Sequence, residues 1–261
     1  MSLSKDYDAV VVGSGPNGLA AAVNLARVGR KVLVLEADAT PGGGMRTREL
    51  TLPGYHHDVC SAVHPLGVAS PFFHTLSLAK HGLNWIHPPL CLAHPLDDGT
   101  AAILSRSLDE TAQSLGPDAE AYQSLMRPFM ENIDNLLHGV LGPLRIPRHP
   151  LLMARVGLTA MQSAVGFARR HFVGDAARAI FGGMAAHAML PLEAPLTATF
   201  GLTLGVLGHT DGWPIAAGGS ERIADALVSL FCSLGGEIAT GHRVDNLNQL
   251  PSSNAVIFDL T

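Results

Sequence analysis

The feature that most constrains the fold is a glycine-rich turn placed between a short apolar run and an alanine-rich segment. Residues 8–12 are largely β-branched, as expected for a buried parallel strand, and residues 19–28 have the composition of an apolar helix. A second apolar run follows at residues 31–36. The turn at 13–18 has the spacing GxGxxG, and the order of strand, turn, helix and strand is a complete βαβ unit. This region therefore predicts a Rossmann-like α/β domain that binds a dinucleotide.

Each glycine of the turn has a physical role. Gly13 permits the tight turn out of the strand, and Gly15 lets the backbone approach a pyrophosphate without a Cβ in the way. Gly18 allows the helix to pack closely on the sheet. The pyrophosphate then lies at the positive end of the helix dipole, where free N–H groups are available. The residues predicted to bind the cofactor at this turn are Gly13, Gly15, Pro16, Asn17 and Gly18.

An acidic residue closes the second predicted strand. Glu36 stands where a carboxylate accepts hydrogen bonds from both ribose hydroxyls of a dinucleotide, and the adjacent Ala37 is included in the predicted site. Asp38 follows, and no arginine stands beside Glu36 in the sequence. A 2′-phosphate would be repelled, so the pattern disfavours NADP.

A second glycine cluster follows at residues 42–44, with Arg46 and Thr47 after it. In pattern, Gly42, Gly43, Arg46 and Thr47 resemble the GGxxR[ST] signature of the phytoene-desaturase-like and amine-oxidase-like flavoprotein superfamily. The resemblance implies FAD as the cofactor, with Gly43, Gly44 and Arg46 beside it. Physically, such glycines let a second loop press against a cofactor, and a guanidinium neutralises a pyrophosphate through fork-like hydrogen bonds.

The family resemblance returns late in the chain. Pro214 and the pair Gly218–Gly219 precede a predicted helix at 221–234, and residues 235–240 follow as a strand that we expect to continue through 243–247. In the superfamily this segment re-enters the FAD domain, and a valine of the strand contacts the adenine through its backbone. The resemblance places that contact at Val244; the alternative is that Val244 belongs to the core.

No catalytic residue can be assigned. By resemblance, residues 61–65 lie near the flavin ring or the substrate entrance, which makes His64 a candidate, although a histidine before proline is more often structural. His56 and His57 would point to opposite sides of a strand and cannot easily share a metal ion. The histidine and cysteine spacing predicts no metal site.

Between the two dinucleotide-binding segments the pattern becomes mainly helical. Residues 111–141 carry apolar side chains at helical spacing, and prolines interrupt the region repeatedly. A helical insertion of low charge is typical of a substrate cap, although a plain helical core would have the same composition. We predict three segments: 1–67 for the first part of the FAD-binding domain, 68–212 for the helical substrate or cap domain, and 213–261 for the return to an incomplete FAD-binding domain.

Composition excludes several classes of protein. Charged residues make up only 15% of the chain, apolar residues 47%, and the net charge is −5, so a nucleic-acid partner is not expected. Three distant cysteines favour a reducing compartment over a disulfide framework. We find neither a secretory leader nor a transmembrane segment. The expected location is the cytoplasm, free or peripherally on the inner face of a membrane.

The predicted function is FAD-dependent transfer of a hydride from a small hydrophobic, polyene or isoprenoid-like substrate to the flavin. In the superfamily a further segment follows the strand that ends near Leu260, so the chain is expected to lack the C-terminal part of the fold. It would then be inactive alone or depend on a partner chain. Two alternatives stay open: an NAD-linked dehydrogenase, and a non-catalytic dinucleotide-binding fragment that needs a partner.

Overall fold

The computed structural model describes residues 6–141 and 149–260. The strands in chain order are β1 (Tyr7–Val12), β2 (Val32–Leu35), β3 (Thr47–Glu49), β4 (His56–Asp58), β5 (Trp85–Ile86), β6 (Leu90–Pro95), β7 (Ala101–Ser105), β8 (Ile215–Ala216), β9 (Glu237–Ala239) and β10 (Ser253–Phe258). The α-helices are α1 (Pro16–Arg27), α2 (Pro65–Ala69), α3 (Pro71–His74), α4 (Leu108–Ser114), α5 (Ala119–Met130), α6 (Ile133–Val140), α7 (Pro150–Ala160), α8 (Ala164–His171), α9 (Asp175–Ala185), α10 (Thr197–Thr210) and α11 (Glu221–Ser233).

The chain divides into two compact units. Unit 1 contains residues 6–63, Leu76–Ile86 and 215–260, and unit 2 contains His64–Thr75 and the described part of His87–Pro214. The division therefore lies close to the sequence-based boundaries at 67 and 212. It differs in one respect, because Leu76–Ile86 belongs to unit 1 although the sequence placed it in the helical segment.

A parallel sheet forms the centre of unit 1. Its strand order is β10-β1-β2-β9, and β1 pairs with both β10 and β2. The strands β1 and β2 are buried almost completely, which explains their unbroken apolar runs. Helix α1 connects β1 to β2 and packs beside α11. This is the predicted βαβ unit, and the predicted Rossmann-like α/β fold is confirmed.

The predicted continuation of the strand through 243–247 is wrong. After β9 the chain leaves the sheet, because the N–H of Gly241 donates to the carbonyl of Asp38 and the N–H of His242 donates to the carbonyl of Glu36, both at 2.8 Å. A single 3-10 turn then forms at Leu247–Gln249, and its start is fixed by a reciprocal capping box with Asn246.

Unit 2 is mainly helical, with the antiparallel pair β6–β7 as its sheet. Helix α10 is apolar on all sides and largely buried, and it packs against α9 and α5. Close approach is possible because α10 carries glycines: a Cβ on Gly205 would lie 3.0 Å from the Met126 Cε, and one on Gly201 would lie 2.9 Å from the Phe181 ring. The predicted helical segment 111–141 is divided into α4, a 3-10 turn, α5 and α6.

Two negative findings hold for the described ranges. No helix there is long and apolar enough to cross a membrane. Within the same residues, histidine, cysteine and acidic side chains form no group of three or more that could hold a metal ion.

Candidate dinucleotide site

The carboxyl ends of β1, β2 and β10 meet at one edge of the parallel sheet of unit 1, and α1 begins there. Gly13 has a φ of 102°, which a residue with a side chain rarely adopts. Gly15 is the N-cap of α1, and Pro16 occupies the first turn, where its missing N–H costs nothing. Gly18 is buried against the backbone carbonyl of Gly13, which leaves no room for a Cβ. The glycines of the GxGxxG pattern therefore allow the tight turn and the close packing that the sequence predicts.

The second glycine cluster packs on the first. The N–H of Gly42 donates to the carbonyl oxygen of Ser14 at 3.0 Å and to its hydroxyl at 3.1 Å. Gly43 has a φ of 56°, and a Cβ there would lie 2.8 Å from the Gly15 Cα. The two loops thus form one surface at the start of α1. The next residue, Gly44, is exposed and lies beside Cys60.

Glu36 is the buried acid of this edge. Its Oε2 accepts hydrogen bonds from the N–H and the hydroxyl of Ser14, and its Oε1 accepts one from the N–H of Asp38 at 2.8 Å. Burial raises the pKa of Glu36, but the hydrogen bonds from Ser14 and Asp38, with the positive charge of Arg46, outweigh it. The pKa of the carboxyl therefore lies below its usual value. Glu36 is thus held as a carboxylate.

Arg46 lies next to this carboxylate. Its Nη2 is 3.4 Å from the Glu36 Oε1 and 3.6 Å from the Asp38 Oδ2, and it donates to the carbonyl of Thr40 at 3.1 Å. The expectation that no arginine stands beside Glu36 is therefore wrong in three dimensions, because the chain turns back after Asp38. The charge argument against a 2′-phosphate is weakened accordingly.

The residues at this edge fit a dinucleotide. The Nε of Arg46 is buried and has no hydrogen-bond partner among the described residues, so one donor of the guanidinium is left without an acceptor. The first turn of α1 leaves N–H groups without intrahelical acceptors, and Asn17 in that turn is exposed. An anionic diphosphate beside the glycine turn would satisfy donors of both kinds.

The remaining predicted residues lie nearby. Ala37 is exposed directly after Glu36. Val244 is half-buried and packs against the sheet core that includes Val12 and Leu35, so its side chain is a core contact. Its backbone follows the stretch at 241–242 that is hydrogen-bonded to Glu36 and Asp38. The role of Val244 toward an adenine stays a prediction.

The histidines singled out by sequence do not gather at this edge. On β4, the His57 Nε2 is hydrogen-bonded to the Thr51 hydroxyl at 2.8 Å. The His56 Nε2 lies 3.8 Å from the Glu49 Oε1. His64 belongs to unit 2, where it precedes α2 and its N–H donates to the carbonyl of Pro214. A catalytic role for His64 stays a prediction.

Sequence reasoning missed the function of Thr47 and Asp58 in holding α11. The Thr47 hydroxyl donates to the Asp58 Oδ1 at 2.6 Å and accepts from the N–H of Glu221 at 3.2 Å, while Asp58 also accepts from the N–H of Ser220 at 2.8 Å. These bonds satisfy N–H groups at the start of α11. The hydroxyl of the GGxxR[ST] pattern is therefore structural here.

Sequence reasoning also missed Asp259, which follows β10. Its Oδ2 accepts a hydrogen bond from the N–H of Gly18 at 2.8 Å, across 241 positions of sequence. The available signal was its place directly after an apolar parallel strand, since such strands end at the ligand-binding edge.

Comparison with known proteins gives a family match over the segment that contains both glycine loops. Residues 11–77 match the family of NAD(P)-binding Rossmann-like domains. A limonene dehydrogenase subunit of Castellaniella defragrans is 31% identical over 141 residues, which are 52% of this chain and 25% of that protein. All-trans-zeta-carotene desaturase of Myxococcus xanthus is 34% identical over 133 residues, 47% of this chain and 24% of the desaturase.

Solved structures share the fold over most of the chain. An oxidoreductase from Methanosarcina mazei aligns with a TM-score of 0.60 and 18% identity, covering 98% of this chain and 59% of its own. Putrescine oxidase and cyclohexylamine oxidase have the same fold. The chain thus spans about a quarter of the curated relatives and somewhat over half of that structure. The resemblance to the desaturase-like and amine-oxidase-like oxidoreductases is confirmed for the part of the fold that this chain spans.

Proposed function

We propose that the chain binds FAD and forms part of an oxidoreductase that removes a hydride from a hydrophobic substrate. The observation that carries the proposal is the second glycine loop, which packs on Gly15 and places the Arg46 guanidinium beside Glu36, with its Nε buried and without a hydrogen-bond partner among the described residues. A bare βαβ unit needs no such loop or guanidinium. The combination favours a cofactor with more contacts at this edge than the first glycine turn alone provides.

In this proposal each residue has a binding role. Glu36 accepts hydrogen bonds from ribose hydroxyls, and its lowered pKa keeps it ionised at neutral pH. The start of α1 and the Arg46 guanidinium neutralise the diphosphate, and Gly43 lets the second loop pack directly on Gly15. FAD, when bound, supplies the hydride acceptor. The protein contributes binding, orientation and the exclusion of water.

The substrate class rests on weaker support. Two relatives, a limonene dehydrogenase subunit and a zeta-carotene desaturase, are named for isoprenoids. Because the chain spans only part of each relative, the polyene or isoprenoid substrate is a proposal. Unit 2, with its apolar helices, is the candidate for the substrate-binding part.

NAD is the second candidate cofactor, because the matching family is described as NAD(P)-binding. The two are separated by titrating the purified protein with FAD and with NADH and measuring both dissociation constants by fluorescence. Tighter binding of FAD, with a flavin absorption band retained on gel filtration, supports the proposal. Micromolar binding of NADH without retention of FAD would reverse it.

We also propose that further polypeptide, in the same chain or in a separate one, packs against β10 and is needed for activity. Strand β10 lies at one edge of the described sheet, and its Phe258 side chain is 52% exposed. Anaerobic titration of the FAD-loaded protein with polyenes tests activity. The 261-residue chain alone is expected to leave the flavin band unbleached, and bleaching by it alone would contradict the need for further polypeptide.

A peripheral membrane contact is a further proposal for unit 2. Leu151 and Leu158 on α7 are 86% and 71% exposed, an arrangement suited to the surface of a bilayer. Replacing both with serine is expected to reduce co-sedimentation with phospholipid vesicles, whereas serine at the comparably exposed Val173 is not. The free thiols of all three cysteines agree with the proposed cytoplasmic location.

A further inference from the structure

A carboxylate of the chain itself lies at the start of α1. The Asp259 Oδ2 accepts the Gly18 N–H at 2.8 Å, and the position of Asp259 is fixed because its own N–H donates to the carbonyl of Val12 at 2.8 Å. The side chain is half-buried. Among the described residues it makes no ion pair with a cation, so α1 itself supplies the compensating positive potential.

All three glycines of the turn face Asp259. A Cβ on Gly15 would lie 2.7 Å from the Asp259 Oδ2, and one on Gly18 would lie 2.9 Å from the same atom. A Cβ on Gly13 would collide with the Asp259 carbonyl oxygen. The space that the glycines keep open at the start of α1 is therefore shared by this carboxylate and by any anion bound there.

A diphosphate at this position would meet a fixed negative charge. Both groups are acceptors that compete for the potential of one helix start, and they repel each other at short range. Arg46 offsets this repulsion only in part, because its guanidinium also lies 3.4 Å from Glu36 and 3.6 Å from Asp38.

We infer that Asp259 is a specificity-determining residue that opposes phosphate-bearing ligands at this edge. The inference rests on the proposed dinucleotide site. The repulsion weakens the binding of phosphate-bearing ligands to a similar extent, so those anchored only by phosphate retain the least affinity. A dinucleotide that also bonds to Glu36 through its ribose compensates for it, so the edge selects dinucleotides over simple phosphates.

The test compares adenosine, ADP and FAD on the full chain by calorimetry at low salt, for the native protein, Asp259→Asn, Asp259→Ala and Asp225→Asn. The amide keeps an acceptor for the Gly18 N–H and removes the charge. Asp225 is an exposed acid on α11 and serves as the control for net charge. Asp259→Asn is expected to bind ADP and FAD about tenfold more tightly, with adenosine unchanged and with the gain shrinking at high salt.

The outcomes separate the inference from the site on which it rests. Unchanged or weaker ADP binding in Asp259→Asn, with adenosine bound as in the native protein, overturns the role of Asp259 alone. Failure of every variant to bind adenosine, ADP or FAD overturns the dinucleotide site and the inference together. If Asp259→Asn unfolds at a lower temperature, Asp259→Ala in the cold decides: tighter ADP binding there supports the inference, and any other result contradicts it.

Discussion

The two units place their polar groups differently. In unit 1, Ser14, Glu36 and Arg46 lie at the edge where parallel strands end, hydrogen-bonded to one another and within reach of a ligand. In unit 2, Tyr122 and His209 are bonded to each other at 2.9 Å inside the helical core. We propose that the first arrangement is a binding site, whereas the second fixes the packing of α5 against α10. Buried polar side chains therefore indicate function only where the backbone opens toward a ligand.

The glycine turn of unit 1 tolerates change least. Gly18→Ala places a Cβ against the backbone carbonyl of Gly13, which cannot move without distorting β1, so unit 1 is expected to lose about 3 kcal/mol of unfolding free energy. Urea denaturation followed by Trp85 fluorescence in a Trp213→Phe background measures this. Gly157→Ala on α7, followed by Trp213 fluorescence in a Trp85→Phe background, is the control, since the described residues leave that position open; an equal loss there would contradict the packing argument.

Replacing Glu36 tests the binding function of the same edge. Glu36→Gln removes the charged acceptor while keeping the size of the side chain, so adenosine affinity is expected to fall by about tenfold to hundredfold. Calorimetric titration gives the dissociation constants. Glu49→Gln, an exposed acid on β3, should bind adenosine as the native protein does. If both variants bind alike, Glu36 has no ligand role.

In unit 2 the comparison predicts a loss of stability with no effect on binding. Tyr122→Phe leaves the buried His209 Nε2 without a partner, and the Nδ1 of that ring already has none among the described residues. The expected cost is about 2 kcal/mol of unfolding free energy. Chemical denaturation reports it through Trp213 in a Trp85→Phe background. Tyr55→Phe at an exposed site should leave the unfolding free energy unchanged. A change in adenosine affinity in Tyr122→Phe would contradict the distinction between the two units.

The two units are also expected to respond to acid in different pH ranges. Burial lowers the pKa of His209 from 6.5 to about 4. Between those values the unfolded chain takes up a proton that the folded chain refuses, so unit 2 loses stability as the pH falls from about 6.5 to 4, by up to about 3 kcal/mol. Glu36 has a lower pKa in the folded chain than its value near 4.5 in the unfolded chain, so its ionised form stabilises unit 1 at any pH above about 4.5. This stabilisation is lost only as the pH falls through the pKa of Glu36 in the folded chain.

The two single-tryptophan backgrounds separate these ranges, since Trp85 lies in unit 1 and Trp213 in unit 2. His209→Gln should reduce the decline of unit 2 above a pH of about 4 and leave the part due to His171, whose pKa burial and Arg170 also lower, whereas His138→Gln at an exposed site should retain the full decline. A native-like decline in His209→Gln would assign the effect to another group.

Local spacing made one part of the site predictable. Gly13, Gly15, Gly18 and Glu36 lie within one βαβ unit, so their separation in sequence follows directly from a strand, a helix and a strand. Arg46 was found through resemblance, but its contact with Glu36 depends on how the loop after Asp38 turns back, which spacing does not encode.

Long-range contacts were not predictable in the same way. Asp259 reaches Gly18 only because β10 pairs beside β1, and Tyr122 meets His209 across 87 positions through helix packing. The prediction of a strand at 243–247 was wrong because it rested on the local sequence pattern alone. In the structure, the N–H groups of Gly241 and His242 donate to the carbonyls of Asp38 and Glu36, and the chain leaves the sheet there. Whether such a segment forms a strand depends on the backbone groups with which it pairs, and a single sequence does not identify those groups.

We propose above all that the edge formed by α1, the second glycine loop and Glu36 binds FAD. Its most direct test is equilibrium dialysis of the purified 261-residue chain against FAD and against NAD⁺, with the Gly18→Ala variant in parallel. We expect saturable binding of one FAD per chain, weaker binding of NAD⁺ and loss of FAD binding in the variant. Absence of FAD binding by the folded native chain, or equal binding by the variant, would contradict it.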